Sequence, residues 1–145
     1  MAKRDLYSLL GDAGDGVAKS IKAQAIAATT NGTAVDMAPS STLPGSESLV
    51  CIADAGTCTD GKYTVSLEES DDNSTFTAVA AADLQGSFTQ INAAADETIE
   101  VVGYIGDKRY VRAVVTEDSN GTTGVIISVV LVRGHPKHLG NNLMA

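Results

Sequence analysis

Few residues in this chain combine the type and spacing that chemistry needs. Its two histidines, His135 and His138, flank Pro136 near one end. A Ser-His-Asp site needs its imidazole held rigidly by a buried carboxylate. A terminal stretch is a poor place for that, and no G-x-S-x-G elbow is present. Two cysteines, Cys51 and Cys58, have C-x6-C spacing, which fits no common zinc or redox pattern. Cys51 reads as a small buried hydrophobe, although a bridge to Cys58 would close a short loop. Glu68, Glu69, Asp71, Asp72 and Asn73 offer oxygens for calcium but lack the EF-hand order. A solvated hairpin tip accounts for them without a metal. The G-D-A-G-D-G run at 11–16 has the wrong spacing for a dinucleotide fingerprint and puts acids where phosphate would sit. No cofactor and no metal are expected, and the chain reads as a non-enzyme.

Charge narrows the classes of partner. The formal charge is −8, with −10 in residues 47–100 and +2 in the remainder. Such a field repels phosphate backbones, and aromatic residues are only 4%. Nucleic-acid binding by charge or by base stacking is therefore disfavoured. The longest apolar run, Gly124 to Val132, is too short to cross a bilayer, so no membrane partner is expected. The start carries a basic pair but no signal-like apolar run, which predicts synthesis in a host cytoplasm. The acidic middle reads as a solvated face.

The elements that must position these residues are strands. Lys62 to Ser70 alternates Tyr63, Val65 and Leu67 against Thr64, Ser66 and Glu68. Such a period of two predicts a half-buried strand. Gly124 to Arg133 is mostly β-branched, as for a central strand buried on both sides. Asn31-Gly32 and Asn120-Gly121 read as hairpin turns, and Asp60-Gly61 as a turn opening the next strand. The spacing predicts about eight short strands. The fold expected is all-β, a two-sheet antiparallel sandwich of jelly-roll type with extended N- and C-terminal arms. An immunoglobulin-like sandwich is the rival, but its Cys, Trp, Cys core is missing. The divisions expected are an arm over 1–22, with a short helix around Asp5 to Leu10, a sandwich over 23–133 and a tail over 134–145.

Three stretches carry a resemblance: DGKYTVSLEESDDNSTFTAVAAADLQGS, VGYIGDKRYVRAVVT and VVLVRGHPKH. Over residues 47–138 the chain resembles the jelly-roll cement, or decoration, proteins of tailed-bacteriophage capsids, of the type on Bordetella phage. The likeness is one of whole pattern and brings no active-site residues. It implies a structural virion protein on the outer capsid surface that bridges subunits of the major capsid protein. It also implies a homo-oligomer, dimer rather than trimer. The basic and aromatic residues of the two ends and one turn are then the expected capsid contacts: Lys3, Arg4, Tyr7, Lys19, Lys22, Lys108, Arg109, Arg133, His135, Lys137 and His138. A phage tail or head-fibre component and a glycan-binding β-sandwich are the competing readings.

Overall fold

A computed structural model describes residues 17–38, 45–119 and 121–136, with the backbone alone at His135 and Pro136. Lys3, Arg4, Tyr7, Lys137, His138 and the expected helix near Asp5 lie outside the described residues. Eleven strands run in chain order: β1 (Val17–Ile26), β2 (Thr30–Asn31), β3 (Val35–Asp36), β4 (Ser46–Cys58), β5 (Lys62–Ser70), β6 (Thr77–Ala78), β7 (Leu84–Gln85), β8 (Ile91–Asn92), β9 (Ile99–Tyr104), β10 (Tyr110–Ser119) and β11 (Val125–Pro136). A single 3-10 turn, Ala81–Asp83, is the one helical element among the described residues.

The strands form two antiparallel sheets. One has the order β1-β11-β4-β9-β7, the other β2-β10-β5-β6, with β3 also pairing β10 and β8 pairing β5. The long strands alternate between the sheets: β1 is followed by β2 and β3, β4 by β5, and β9 by β10 and then β11. This winding is a jelly roll, as the strand pattern predicts.

Alternation in sequence becomes the core. Leu49, Cys51 and Ala53 of β4, Val102 and Tyr104 of β9, and Val125, Ile127, Val129 and Leu131 of β11 point inward from the five-stranded sheet. Tyr63, Val65 and Leu67 of β5 meet them with Val111, Ala113 and Val115 of β10. Small β-branched side chains fill the ~10 Å gap between aligned sheets, so few aromatics are needed.

Four expectations change. Asn31-Gly32 is not a hairpin: β2 and β3 both pair β10, while β1 pairs β11 in the other sheet. Gly32 instead passes tightly between Ser20 and Ala113, where an added Cβ would strike both. The expected Asn120-Gly121 hairpin fails likewise, since β10 and β11 lie in different sheets. Turn chemistry reverses a chain but does not choose the sheet that the next strand joins. At the ends, the sheet begins at Val17, placing Lys19 and Lys22 in β1, and β11 continues through Gly134↔Ser48 to Pro136↔Ser46. Finally, β11 is buried on one face only, since Ile126 is exposed and Val130 and Val132 are half-exposed.

The central strand gives a stability test. Leu131 is fully buried in β11. Leu131→Ala should cost about 2–5 kcal/mol, read as a lower denaturant midpoint. A change below about 1 kcal/mol would contradict the packing described.

Candidate interaction surface

Most of the conspicuous charge serves the chain itself. Asp60 lies in the connection from β4 to β5. Its carboxylate accepts the amides of Thr122, Thr123 and Gly124 and the Thr122 hydroxyl, so it holds the 121–124 crossing. The Thr122 hydroxyl and then the Gly124 and Thr123 amides hold its carboxyl well below the usual range. Asp72 does the same for the β5–β6 turn. It accepts the Ser74 and Thr75 amides at 2.9 and 2.8 Å and the Ser70 hydroxyl at 2.8 Å. The Thr75 amide, the Ser74 amide and the Ser70 hydroxyl lower its pKa to about 2. Asp96 accepts the Cys58 amide, and Glu69 accepts the Tyr104 hydroxyl.

The acidic middle is thus an organiser of turns as well as a solvated surface. A short acidic side chain followed two or three residues later by Ser or Thr was the available signal, and Asp72, Ser74 and Thr75 show that spacing. Asp60 offered no such signal, because its partners lie more than sixty residues away. Among the described residues no group of three or more His, Cys, Asp or Glu side chains is placed to hold a metal.

The basic residues singled out in the sequence do not converge on one patch. Lys108 Nζ lies 2.7 Å from Asp71. Arg109 forks onto both oxygens of Asp36 at 3.0 Å. Partial burial raises the Asp36 pKa, but the Arg109 bond, the Ala38 amide and nearby cations outweigh it and leave the carboxyl lowered. Arg133 is buried and donates to the Asp36 carbonyl at 2.8 Å, so its guanidinium is turned inward. Arg112, outside the expected set, pairs with Glu68 at 2.7 Å and lies 4.1 Å over the Phe76 ring. Lys19 and Lys22 are exposed on β1, whereas His135 is placed only by its backbone at the end of β11.

The two cysteines are separated by geometry. Both point inward from β4. Seven residues of strand put them ~23 Å apart, far beyond the ~7 Å limit for a bridge. Burial, and secondarily Glu100, pushes the Cys51 thiol up to about 12. Burial also raises Cys58, with Asp96 and Asp60 adding to it.

What stands out is the outward side of the five-stranded sheet. Register sets three rows across it. One is Val17, Val132, Val50 and Gly103; the next is Lys19, Val130, Ile52 and Val101; the third is Ser128, Asp54 and Ile99. Ile99 is 67% exposed, Val101 60%, Ile126 54%, Val17 47% and Val50 36%. The opposite sheet presents Thr64, Ser66, Glu68, Arg112 and Thr116 outward. Scattered exposed hydrophobes are ordinary, but a contiguous apolar sheet face marks an interaction surface. The sequence hid this face, because exposed and buried β-branched residues look alike in a strand.

No protein-family description matches the sequence, and no curated protein matches it significantly. Among solved structures, the PBSX exported protein XepA is similar in fold, with a TM-score of 0.57 at 16% identity. The match covers 92% of this chain, which spans 40% of XepA.

Two measurements check this account. Thiol reagents should leave Cys51 and Cys58 unmodified in the folded protein and label both on unfolding; rapid native labelling of Cys51 would contradict its burial. For Asp60 and Asp72, folded pKa values lie below the unfolded ~3.9. Their contribution is complete above that value and lost as pH falls, for Asp72 down to about 2. Thermal stability should therefore fall below pH ~4. Asp60→Asn should lower stability at neutral pH and flatten that acid limb; an unchanged limb would be the contrary result.

Proposed function

We propose that the protein is a non-enzymatic structural component of a tailed-phage virion. In this reading it decorates and cements the outside of the head by bridging subunits of the major capsid protein. The observation that carries the reading is the exposed apolar face of the five-stranded sheet, on a body whose acidic side chains close its own loops. Such a body is suited to being held by other proteins. The fold likeness to the PBSX exported protein XepA and the sequence resemblance to head decoration proteins point the same way.

A rigid spacer on a virion surface gains from each feature. Antiparallel sheets with turns tied by carboxylates resist deformation. Net charge of −8 keeps a densely decorated surface soluble and free of nucleic acid. In this reading the capsid contacts are Lys3, Arg4, Tyr7, Lys19 and Lys22 toward one end, with His135, Lys137 and His138 toward the other. Lys108, Arg109 and Arg133 are committed to Asp71 and Asp36 and serve the body instead.

The test is direct. Heads assembled with the protein should retain their DNA to a higher temperature than heads lacking it. Equal retention would defeat the cementing role. Removing residues 137–145, beyond the last strand residue Pro136, should leave the thermal unfolding of the isolated protein unchanged and lower its occupancy on heads. Full occupancy by the shortened chain would remove the tail from the contact. Specific sugar binding on a glycan array would favour a carbohydrate-binding module instead.

A further inference from the structure

We propose that residues 3–15 fold back over the outward face of the five-stranded sheet and cover it while the protein is unattached. The site is the face read above as the docking surface. The inference rests on that reading in one respect: the capsid takes the face by displacing the arm.

The order of charges supports this occupant. At one side of the face β1 carries Lys19, beside Val130, and Lys22, which follows the Ile21↔Val129 pair and so lies beside Ser128. At the other side Asp54 lies beside Ile99 of β9. All three are exposed, and none has a bonding partner among the described residues. Between them lie Val132, Val130, Val50, Ile52 and Val101. From β1 to β9 the face therefore runs basic, apolar, acidic. Taken backward from the start of β1, the arm runs acidic, apolar, basic. Asp15 and Asp12 come first, then Leu10, Leu9, Tyr7 and Leu6, then Arg4 and Lys3, with Asp5 the one acid out of order. Laid across the sheet, each block of the arm meets its complement.

The lengths agree. The arm joins the sheet at Val17, in the row that continues through Val132 and Val50 to Gly103. From β1 to β9 is three strand spacings, ~14 Å, and the Asp54 row lies ~13 Å further along the strands. The diagonal is thus ~19 Å. The six residues 11–16 span up to ~20 Å, and the glycines among them let the chain reverse. Residues 6–10 then reach the apolar middle, and Arg4 and Lys3 reach Asp54.

The alternatives lack the match. Residues 137–145 contain no acid to meet Lys19 and Lys22. The outward face of the other sheet is polar, with Glu68 and Arg112 already paired. Three leucines and a tyrosine removed from water favour the covered state, while ordering the segment costs backbone entropy. The two oppose each other, so the cover is one that a larger apolar partner can displace.

A spin label on the full-length protein tests the idea. Cys51 and Cys58 are buried, so a nitroxide on Ser8→Cys marks the arm alone. In isotope-labelled protein, the amide signals of Ile52, Val101 and Val130 should be lost to paramagnetic broadening. Those of Ser66 and Arg112, on the far sheet, should persist. Leu9→Ser with Leu10→Ser should bring the lost signals back, and Asp54→Lys should bring them back in part. Signals at Ile52, Val101 and Val130 as sharp as those of the far sheet overturn the proposal. So does broadening that survives the double leucine substitution or is indifferent to Asp54→Lys. Mixing spin-labelled chains without isotope with isotope-labelled chains without the spin label should give no broadening; loss of the same signals there means that another copy covers the face, and the proposal fails. No heads enter the measurement, so its failure is separable from failure of the cementing role.

Discussion

The structure depends on closing the passages between its two sheets. A jelly roll sends the chain from one sheet to the other after each long strand, and each passage exposes backbone amides that no ladder can satisfy. A buried, unpartnered amide costs about as much as a lost hydrogen bond. Here side-chain oxygens supply the acceptors. Asp60 takes three successive amides of the 122–124 passage. Ser20, at a bulge in β1, accepts the Ala113 amide and donates to the Thr33 carbonyl, tying the first passage to both sheets. Asp36 joins Arg109 and receives Arg133 on its carbonyl near the end of β11.

Those demands explain the unusual charge distribution. Acidic residues cluster where the chain turns, and their oxygens are spent on backbone. The protein is acidic partly because its topology consumes carboxylates. The bases follow the acids: Lys108, Arg109 and Arg112 each neutralise a carboxylate across a strand pair or turn. A cluster that resembles a basic patch in sequence becomes three separate ion pairs in space.

The two outward faces then differ in kind. One sheet shows threonine, serine and a glutamate–arginine pair to solvent, and the other shows valine and isoleucine. Both faces come from strands of similar composition, so the difference lies in register. In β5 the outward positions are Thr64, Ser66 and Glu68, while in β4 and β11 they are Val50, Ile52, Val130 and Val132. An apolar face on a rigid, highly charged body is a site for association, and the functional proposal starts from it.

Much of the architecture was legible in the chain. The alternation of Lys62 to Ser70, the β-branched run before Arg133 and the Asx and glycine punctuation together determine an all-β sandwich, because period two admits only strands. Tertiary structure decided the rest. It made the Asn31-Gly32 segment a passage between sheets, because only three-dimensional pairing shows that β1 meets β11. It put Cys51 and Cys58 on one strand too far apart to bridge. It turned Arg133 inward and drew Asp60 to amides that lie far along the chain. It also left one face of β11 open, since a run of β-branched residues states its strand propensity but not whether another layer will cover both sides.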